Sequence, residues 1–315
     1  MYYVGIDLGG TAIKGGIVDE NAKIILKKEV KTPVEAGYEG VIGEIISLIN
    51  SLLDEAKLNT KDIKSIGIGI PGVASKEGLV YYAHNLFWKN VPLSDMLKKE
   101  FKDLPIYVEN DATVACVAEY ACGAMKDKKT GVMLTLGTGV GGGIIIDGKV
   151  FSGSHGLGSE IGHMVVGENF YDCNCGKNGC LETFSSATAI INYAKKLIKE
   201  ENKDTLIMEK VQNDMEKIDA KVIIDSAKEG DYIANKAVDN LVKYLAIGIT
   251  NIMNIIDPEV ICIGGGLSKS GNFLLNKINS EVSKYLLFKD LEYGKIVIGK
   301  LENDGGIIGS AMLGK

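Results

Sequence analysis

The segment 160–182, EIGHMVVGENFYDCNCGKNGCLE, gathers side chains that can hold a metal ion. Glu160 and Glu182 stand at its ends, and between them lie His163, Cys173, Cys175 and Cys180. Gly176 and Gly179 sit among the cysteines, and glycine lets a backbone turn sharply enough for three thiolates to converge. Three Cys and one His form a closed four-ligand set of the tetrahedral N/S kind that suits structural Zn²⁺. A disulfide, or three thiols in a loop, is the plain alternative. A disulfide leaves one thiol over, and cysteines separated by one residue bridge poorly at the Cα spacing it needs. A metal would knot a polar loop that has too few apolar residues to hold itself. It would fix Glu160 and Glu182 relative to each other as the floor of a polar-ligand pocket. Four protein ligands leave no open position, so the expected role is structural and not catalytic.

Three glycine-rich turns point to a second chemistry. The first is Asp7-Leu8-Gly9-Gly10-Thr11 with Lys14 behind it, the second Gly137-Thr138-Gly139, and the third Gly264-Gly265-Gly266. Backbone N–H groups of such turns can approach phosphate oxygens because no side chain blocks them. Thr11 adds a hydroxyl, and Asp7 can orient Mg²⁺ or its water shell. A lone Gly-rich turn is often only a tight turn; three are hard to explain as coincidence. No G-x-x-x-x-G-K-[ST] occurs, and the first two turns join strand to strand where a P-loop needs strand to helix.

Asp111, in Val108-Glu109-Asn110-Asp111-Ala112, follows an expected strand and opens an expected helix. Its plain reading is a helix N-cap. Its functional reading is a general base that takes a proton from a substrate hydroxyl as phosphate arrives. Asn85, Asn110, Glu160, Glu182 and the Pro71-Gly72 turn shift the balance to the second. They make a set of amides and carboxylates suited to a molecule with many hydroxyls, and such a site rejects analogues that lack them. His163 reads either as a zinc ligand alone or as a ligand whose other N–H points at the substrate, and the double role is favoured.

The hydrophobic pattern supplies the scaffold. Strands are expected over 4–6, 13–18 and 24–30, then a helix over 38–57 on the stripe Val41, Ile45, Ile46, Ile49, Leu52 and Leu53. A buried strand over 66–70 ends at Pro71-Gly72, a loop covers 85–88, and a helix over 93–101, a strand over 105–108 and a helix over 112–121 follow. Strands over 132–136 and 144–146 end in an Asp147-Gly148 hairpin turn. Helices over 183–201, 219–228 and 233–256, a strand over 260–263, a helix over 272–286, a strand over 296–298 and a helix over 309–313 complete the chain, with 199–221 charged and without a clear pattern. IDLGGTAIKGGIVD set beside LTLGTGVGGGIIID shows an internal echo of strand, Gly/Thr turn and second strand ending at Asp. That echo implies a duplicated fold with Gly-rich turns facing one cleft.

The 315 residues, 24% charged and 46% hydrophobic, suit a globular enzyme of two domains. A formal charge of −6, without a dense Lys/Arg cluster, argues against a nucleic-acid partner. The start MYYVGIDLGG lacks the pattern of a signal peptide. No apolar run reaches the roughly 18 residues of a membrane span, so no membrane partner is expected. Cys116, Cys122 and Cys262 sit in apolar contexts and read as small core residues in a reducing cytosol. The expected location is cytoplasmic.

The chain resembles the ROK family of sugar kinases, repressors and uncharacterised frames, and within it the bacterial ATP-dependent glucokinases, over essentially its whole length. The resemblance rests on the turn 7–14, the run Glu109-Asn110-Asp111-Ala112, the segment 136–143, Glu160-Ile161-Gly162-His163 and CNCGKNGCLE. It implies an α/β, actin-like ATPase (ribonuclease-H-like) duplicated fold with two domains around an active-site cleft. From the topology, a small N-terminal domain spans 1–115, with a C-terminal helix at about 302–315 packed back on it, and a large domain with the zinc loop 163–180 spans 116–301. The resemblance further implies Asp111 as base and sugar contacts from Gly72, Asn85, Asn110, Asp111, Glu160, His163 and Glu182. It implies ATP with Mg²⁺ as donor, taken up by Asp7, Gly9, Gly10, Thr11, Lys14, Gly137, Thr138, Gly139, Gly265 and Gly266. Zinc at His163, Cys173, Cys175 and Cys180, and a homodimer or homotetramer, complete what it implies. One departure is Asn85-Leu86-Phe87-Trp88, where glucokinases often have Gly between Leu and Trp.

The expected reaction is transfer of the ATP γ-phosphate to the 6-hydroxyl of glucose. Fructose, mannose, N-acetylglucosamine and N-acetylmannosamine are alternative acceptors, and glucose leads because Glu160-x-x-His163 and LETFSSATA look most glucokinase-like. A sugar-responsive regulator is the competing class. Such proteins carry a helix-turn-helix ahead of the first turn, for which the position of Asp7 is expected to leave no room. An idle sugar-binding protein is disfavoured by the intact Asp111 and phosphate turns.

Overall fold

A computed structural model describes every residue except 202, 302 and 303. In chain order the elements are β1 (Tyr2–Leu8), β2 (Ala12–Asp19), β3 (Ile24–Lys31), α1 (Gly37–Ala56), β4 (Ile63–Ile70), β5 (Val73–Ala74), β6 (Val80–Ala83), β7 (Trp88–Val91), α2 (Leu93–Glu100), β8 (Ile106–Asn110) and α3 (Asp111–Cys122). There follow β9 (Gly131–Leu136), β10 (Val140–Ile146), β11 (Lys149–Val150), α4 (Glu182–Ser185), α5 (Ala187–Glu201), α6 (Leu206–Lys210), α7 (Ala220–Lys228), α8 (Tyr232–Ile256), β12 (Val260–Gly264), α9 (Asn272–Val282), β13 (Lys295–Ile298) and α10 (Gly305–Met312). The chain divides into two units, one of residues 1–129, 143–159 and 300–315, the other of 130–142 and 160–299.

The first unit is built on a five-stranded sheet of order β3-β2-β1-β4-β8. β1, β2 and β3 pair antiparallel, while β1–β4 and β4–β8 pair parallel. A parallel neighbour requires a crossover, and α1 supplies it between β3 and β4, burying Val41, Ile45, Ile49 and Leu52. Successive residues of β2 meet different helices. A Cβ on Gly15 would press on Leu48 and Leu52 of α1, and one on Gly16 on Ile307 of α10, as alternation across a pleated strand requires. α10 lies directly on the strands because Gly5 and Gly67 carry no side chain there. A Cβ on either would overlap the backbone of Ile307 or Ser310, and the Ser310 hydroxyl donates to the Ile6 carbonyl at 2.8 Å.

The other sheet repeats the pattern, with order β11-β10-β9-β12-β13 and parallel β9–β12 and β12–β13 pairs. The sequence echo therefore corresponds to a repeated sheet. β10 and β11 join through Asp147 and Gly148, both at positive φ, 49° and 77°, the backbone a two-residue hairpin favours. In the second unit α8 packs against α5, α7 and α9.

Several expectations change in detail. The loop expected over 85–88 is a turn, His84–Leu86, inside a three-stranded sheet β5-β6-β7. The helix expected over 183–201 is broken at Ser186, whose extended backbone and hydroxyl, 3.0 Å from the Ala189 N–H, start α5 afresh. The third glycine turn leads first into a 3₁₀ turn, Gly266–Ser270, and α9 stops at Val282, short of 286. Positions 302 and 303 of the expected C-terminal segment, and 202 in the charged stretch 199–221, lie outside the described residues.

Phe87 holds the left-handed conformation, φ 56° and ψ 31°, that glycine adopts at no steric cost. Phe87 therefore places a bulky side chain, 86% exposed, at a backbone position that favours glycine. Because the ring packs on little, its removal isolates the backbone term. Phe87→Gly should exceed Phe87→Ala in stability by about 1 kcal/mol, measured by urea unfolding. An Ala variant as stable as the Gly variant would contradict the left-handed assignment.

Candidate active site

The β8–α3 junction places Asp111. The Asn110 side chain accepts N–H bonds from Ala112 at 2.9 Å and Thr113 at 3.4 Å, so Asn110 caps the helix. Its amide nitrogen donates to the Gly72 carbonyl at 3.0 Å. The cap reading thus falls to Asn110, and Asp111 is the exposed first residue of α3, accepting the Ala112 N–H at 2.8 Å.

The first glycine turn is closed by an N–H bond from Gly9 to the Ala12 carbonyl at 3.0 Å. Buried Thr32 braces it, its hydroxyl donating to the Gly9 carbonyl at 2.7 Å and its N–H to the Thr11 carbonyl at 3.0 Å. A Cβ on Gly10 would stand 3.2 Å from the Asn85 carbonyl, so the Asn85 turn lies against this first turn. Lys14 pairs with Asp7 across β1 and β2. Burial pushes the Asp7 carboxyl above the usual range, and Lys14 opposes the shift. A Cβ on Gly306 would reach within 2.5 Å of that carboxylate, so the start of α10 closes over Asp7.

In the second unit the 137–139 turn is tied at both ends. Gly137 donates to the Gly139 carbonyl at 3.0 Å, and the start of α5 takes the remaining carbonyls, Ala187 N–H to Gly137 and the Thr188 hydroxyl to Thr138, each at 2.8 Å. Glu182 accepts the Val140 N–H at 3.0 Å, and a Cβ on Gly139 would overlap its carboxylate. Gly265, at φ 81°, stands where a Cβ would come within 2.6 Å of the Leu136 backbone. The third turn therefore abuts the strand end that feeds the second, and Gly266 opens the 3₁₀ turn beyond it. Thr138, Gly139, Cys173 and Glu182 line one cavity of about 330 Å³.

His163, Cys173, Cys175 and Cys180 present one ligand atom each, all within 4.8 Å of one another. Cys173 Sγ lies 3.6 Å from His163 Nδ1, and Cys175 Sγ 3.6 Å from Cys180 Sγ. A tetrahedron with metal–sulfur bonds of about 2.3 Å has edges of about 3.8 Å. The donor set fits a closed tetrahedral ion, and none of the six cysteines, all of them among the described residues, forms a disulfide. His163 turns its other nitrogen, Nε2, to within 3.9 Å of Glu160 Oε2. Burial pushes the Cys173 thiol up to about 12 and the Cys180 thiol upward, while the Lys177 backbone N–H leads the effects that hold Cys175 below the usual value. Three thiolates this close would repel one another, and a bound cation would offset that charge.

The structure thus gathers Gly72, Asn85, Asn110, Asp111 and the first turn in one unit, and Glu160, His163, Glu182, the cysteines and the other two turns in the other. Sequence reasoning gave no role to Glu109, Ser152, Thr113 or Ser159. Glu109 accepts the Ser152 hydroxyl at 2.7 Å, and the Thr113 and Ser159 hydroxyls lie 3.2 Å apart. The only available signal was the Gly/Ser-rich run SGSHGLGS ahead of Glu160.

Comparison with known proteins identifies the family. The family model described as ROK family matches residues 3–315. A glucokinase of Halalkalibacterium halodurans is 37% identical over 316 residues, covering 100% of this chain and 95% of the relative. A xylose repressor of Caldicellulosiruptor bescii is 32% identical, with 97% of this chain and 76% of the repressor covered. The crystal structure of a Streptomyces griseus ROK glucokinase in complex with glucose and AMPPNP superposes with a TM-score of 0.79 at 30% identity, covering 99% of both chains. The repeated sheets are those of the actin-like ATPase fold of ROK sugar kinases, and the chain belongs to the ROK family.

Proposed function

We propose that this protein is an ATP-dependent hexose kinase that converts glucose to glucose 6-phosphate. The observation that carries the reading is Asp111 itself. The neighbouring Asn110 performs the capping, so the carboxylate stands exposed at the head of α3. Full-length similarity to glucokinases supports the acceptor.

In this reading Asp111 accepts the proton of the sugar 6-hydroxyl as that oxygen attacks the γ-phosphorus, and the bond to the β-phosphate oxygen breaks to release ADP. Gly72, Asn85, Asn110, Glu160, His163 and Glu182 hold the sugar hydroxyls. The turns with Gly9, Gly10, Thr11, Gly137, Thr138, Gly139, Gly265 and Gly266 offer backbone N–H groups to the nucleotide phosphates, and Lys14 adds charge. Asp7 would orient Mg²⁺ or its water shell, which would supply positive charge to the phosphate oxygens. His163, Cys173, Cys175 and Cys180 hold a structural Zn²⁺ that stiffens the loop between Glu160 and Glu182. The same reading places a homodimer or homotetramer in the cytoplasm, where thiols stay reduced. Other hexoses are the alternative acceptors.

The direct test is ADP release from Mg·ATP in the presence of glucose, fructose, mannose, N-acetylglucosamine or N-acetylmannosamine. Glucose should give the highest kcat/KM, and turnover on another sugar would move the substrate and keep the chemistry. Asp111→Asn should fold and bind sugar while losing about 10²–10⁴-fold in kcat. An Asn variant that retains a tenth of the activity would remove Asp111 from the role of base.

Purified protein should carry about one zinc per chain, as a single four-ligand site requires. Cys180→Ser should lose the metal and melt several degrees lower. Acidification should release zinc, because protons compete with the metal for the cysteine thiolates and the imidazole. Metal analysis and a chromogenic zinc indicator read these outcomes. A zinc-free protein with an unchanged Tm would sink the assignment.

A further inference from the structure

Asp111 is bracketed by two side chains that reach the same loop. Two residues before it, Glu109 accepts the Asn110 N–H at 3.0 Å through Oε1 and the Ser152 hydroxyl at 2.7 Å through Oε2. Two residues after it, the buried Thr113 hydroxyl lies 3.2 Å from the Ser159 hydroxyl. Ser152 and Ser159 are the two ends of one excursion, closed at its base by a bond from the Gly158 N–H to the Ser152 carbonyl at 3.0 Å. Its tip is also seated. Gly156, at φ 76°, would drive a Cβ to 2.7 Å from the Ala74 carbonyl, and Ala74 lies two residues past Gly72, which Asn110 grips.

The loop therefore has a hydroxyl contact on each flank of Asp111 and a backbone contact beside the Gly72 turn. A carboxylate accepting a hydroxyl at this distance makes a short, directional bond. Such a pair fixes position more than it adds packing, since Ser152, Ser159 and Glu109 are all only half-buried. We propose that Ser152 and Ser159 are positioning residues for the base, pinning the head of α3 so that the Asp111 carboxylate is held in its attack geometry. The proposal rests on the kinase reading above.

Displacement of a reacting group by about 1 Å can cost about 10²-fold in rate. Ser152→Ala and Ser159→Ala should each lower kcat on the preferred hexose about tenfold, with KM for ATP within about twofold. The decisive comparison is Ser152→Thr against Ser152→Val, side chains of nearly equal shape that differ in the hydroxyl. The Thr variant should recover most of the kcat and the Val variant should not, at matching Tm. Equal kcat in the Thr and Val variants would overturn the proposal, as would Ala variants whose losses lie in KM alone. Ser159→Thr against Ser159→Ala repeats the test should Ser152→Val fail to fold. A wild-type protein that phosphorylates no hexose would instead refute the kinase reading, and the positioning role with it.

Discussion

The Asn110 side chain is the interaction on which the geometry of this protein turns. Its oxygen closes the open N-terminus of α3 and its nitrogen holds the Gly72 carbonyl, so one amide ties a helix to a turn at the end of a buried parallel strand. A helix cap contributes about 1 kcal/mol and a typical hydrogen bond about as much, against a total stability of about 5–15 kcal/mol. Such energies are too small to create the fold, yet large enough to choose one arrangement of its corner. The fold itself comes from apolar burial, in the first unit from Ile6, Ile13, Ile17, Ile45, Ile49, Ile66 and Ile68, all fully enclosed.

The two sheets share a strand order and have been given different work. The first carries the small β5-β6-β7 sheet, with the Asn85 turn set against Gly10. The second carries the cysteine loop, with Glu182 braced on the Gly139 turn. In both, absent side chains create the close approaches. Gly5 and Gly67 admit α10 onto the first sheet, and Gly265 admits the third turn onto the end of β9. Repeating a sheet thus produced comparable strand ends, and local loops gave each its polar groups.

Much of this was legible because the signals were local and periodic. The α1 stripe, the strands flanking the first two glycine turns and the spacing of His163 with the cysteines all correspond to features of the structure. The β5-β6-β7 sheet was not legible, since strands of two to four residues are too short to show alternation against the background. The break at Ser186 escaped because LETFSSATA contains neither Gly nor Pro, and a serine hydroxyl ended one helix and began another. Asn110 and Asp111 are adjacent and both types cap helices well, so only the backbone shows which one does. The links from Glu109 to Ser152 and from Thr113 to Ser159 join residues far apart in sequence. Such contacts depend on the path of the chain, which pattern alone does not reveal.

The measurement that bears most directly on the central claim is the identity of the product, followed by ³¹P and ¹³C NMR during turnover of Mg·ATP with glucose. The expected result is stoichiometric ADP and a single sugar phosphate, with phosphorus coupled to carbon 6. ADP accompanied by inorganic phosphate alone, or phosphate on the anomeric carbon, would contradict a mechanism in which Asp111 deprotonates the 6-hydroxyl.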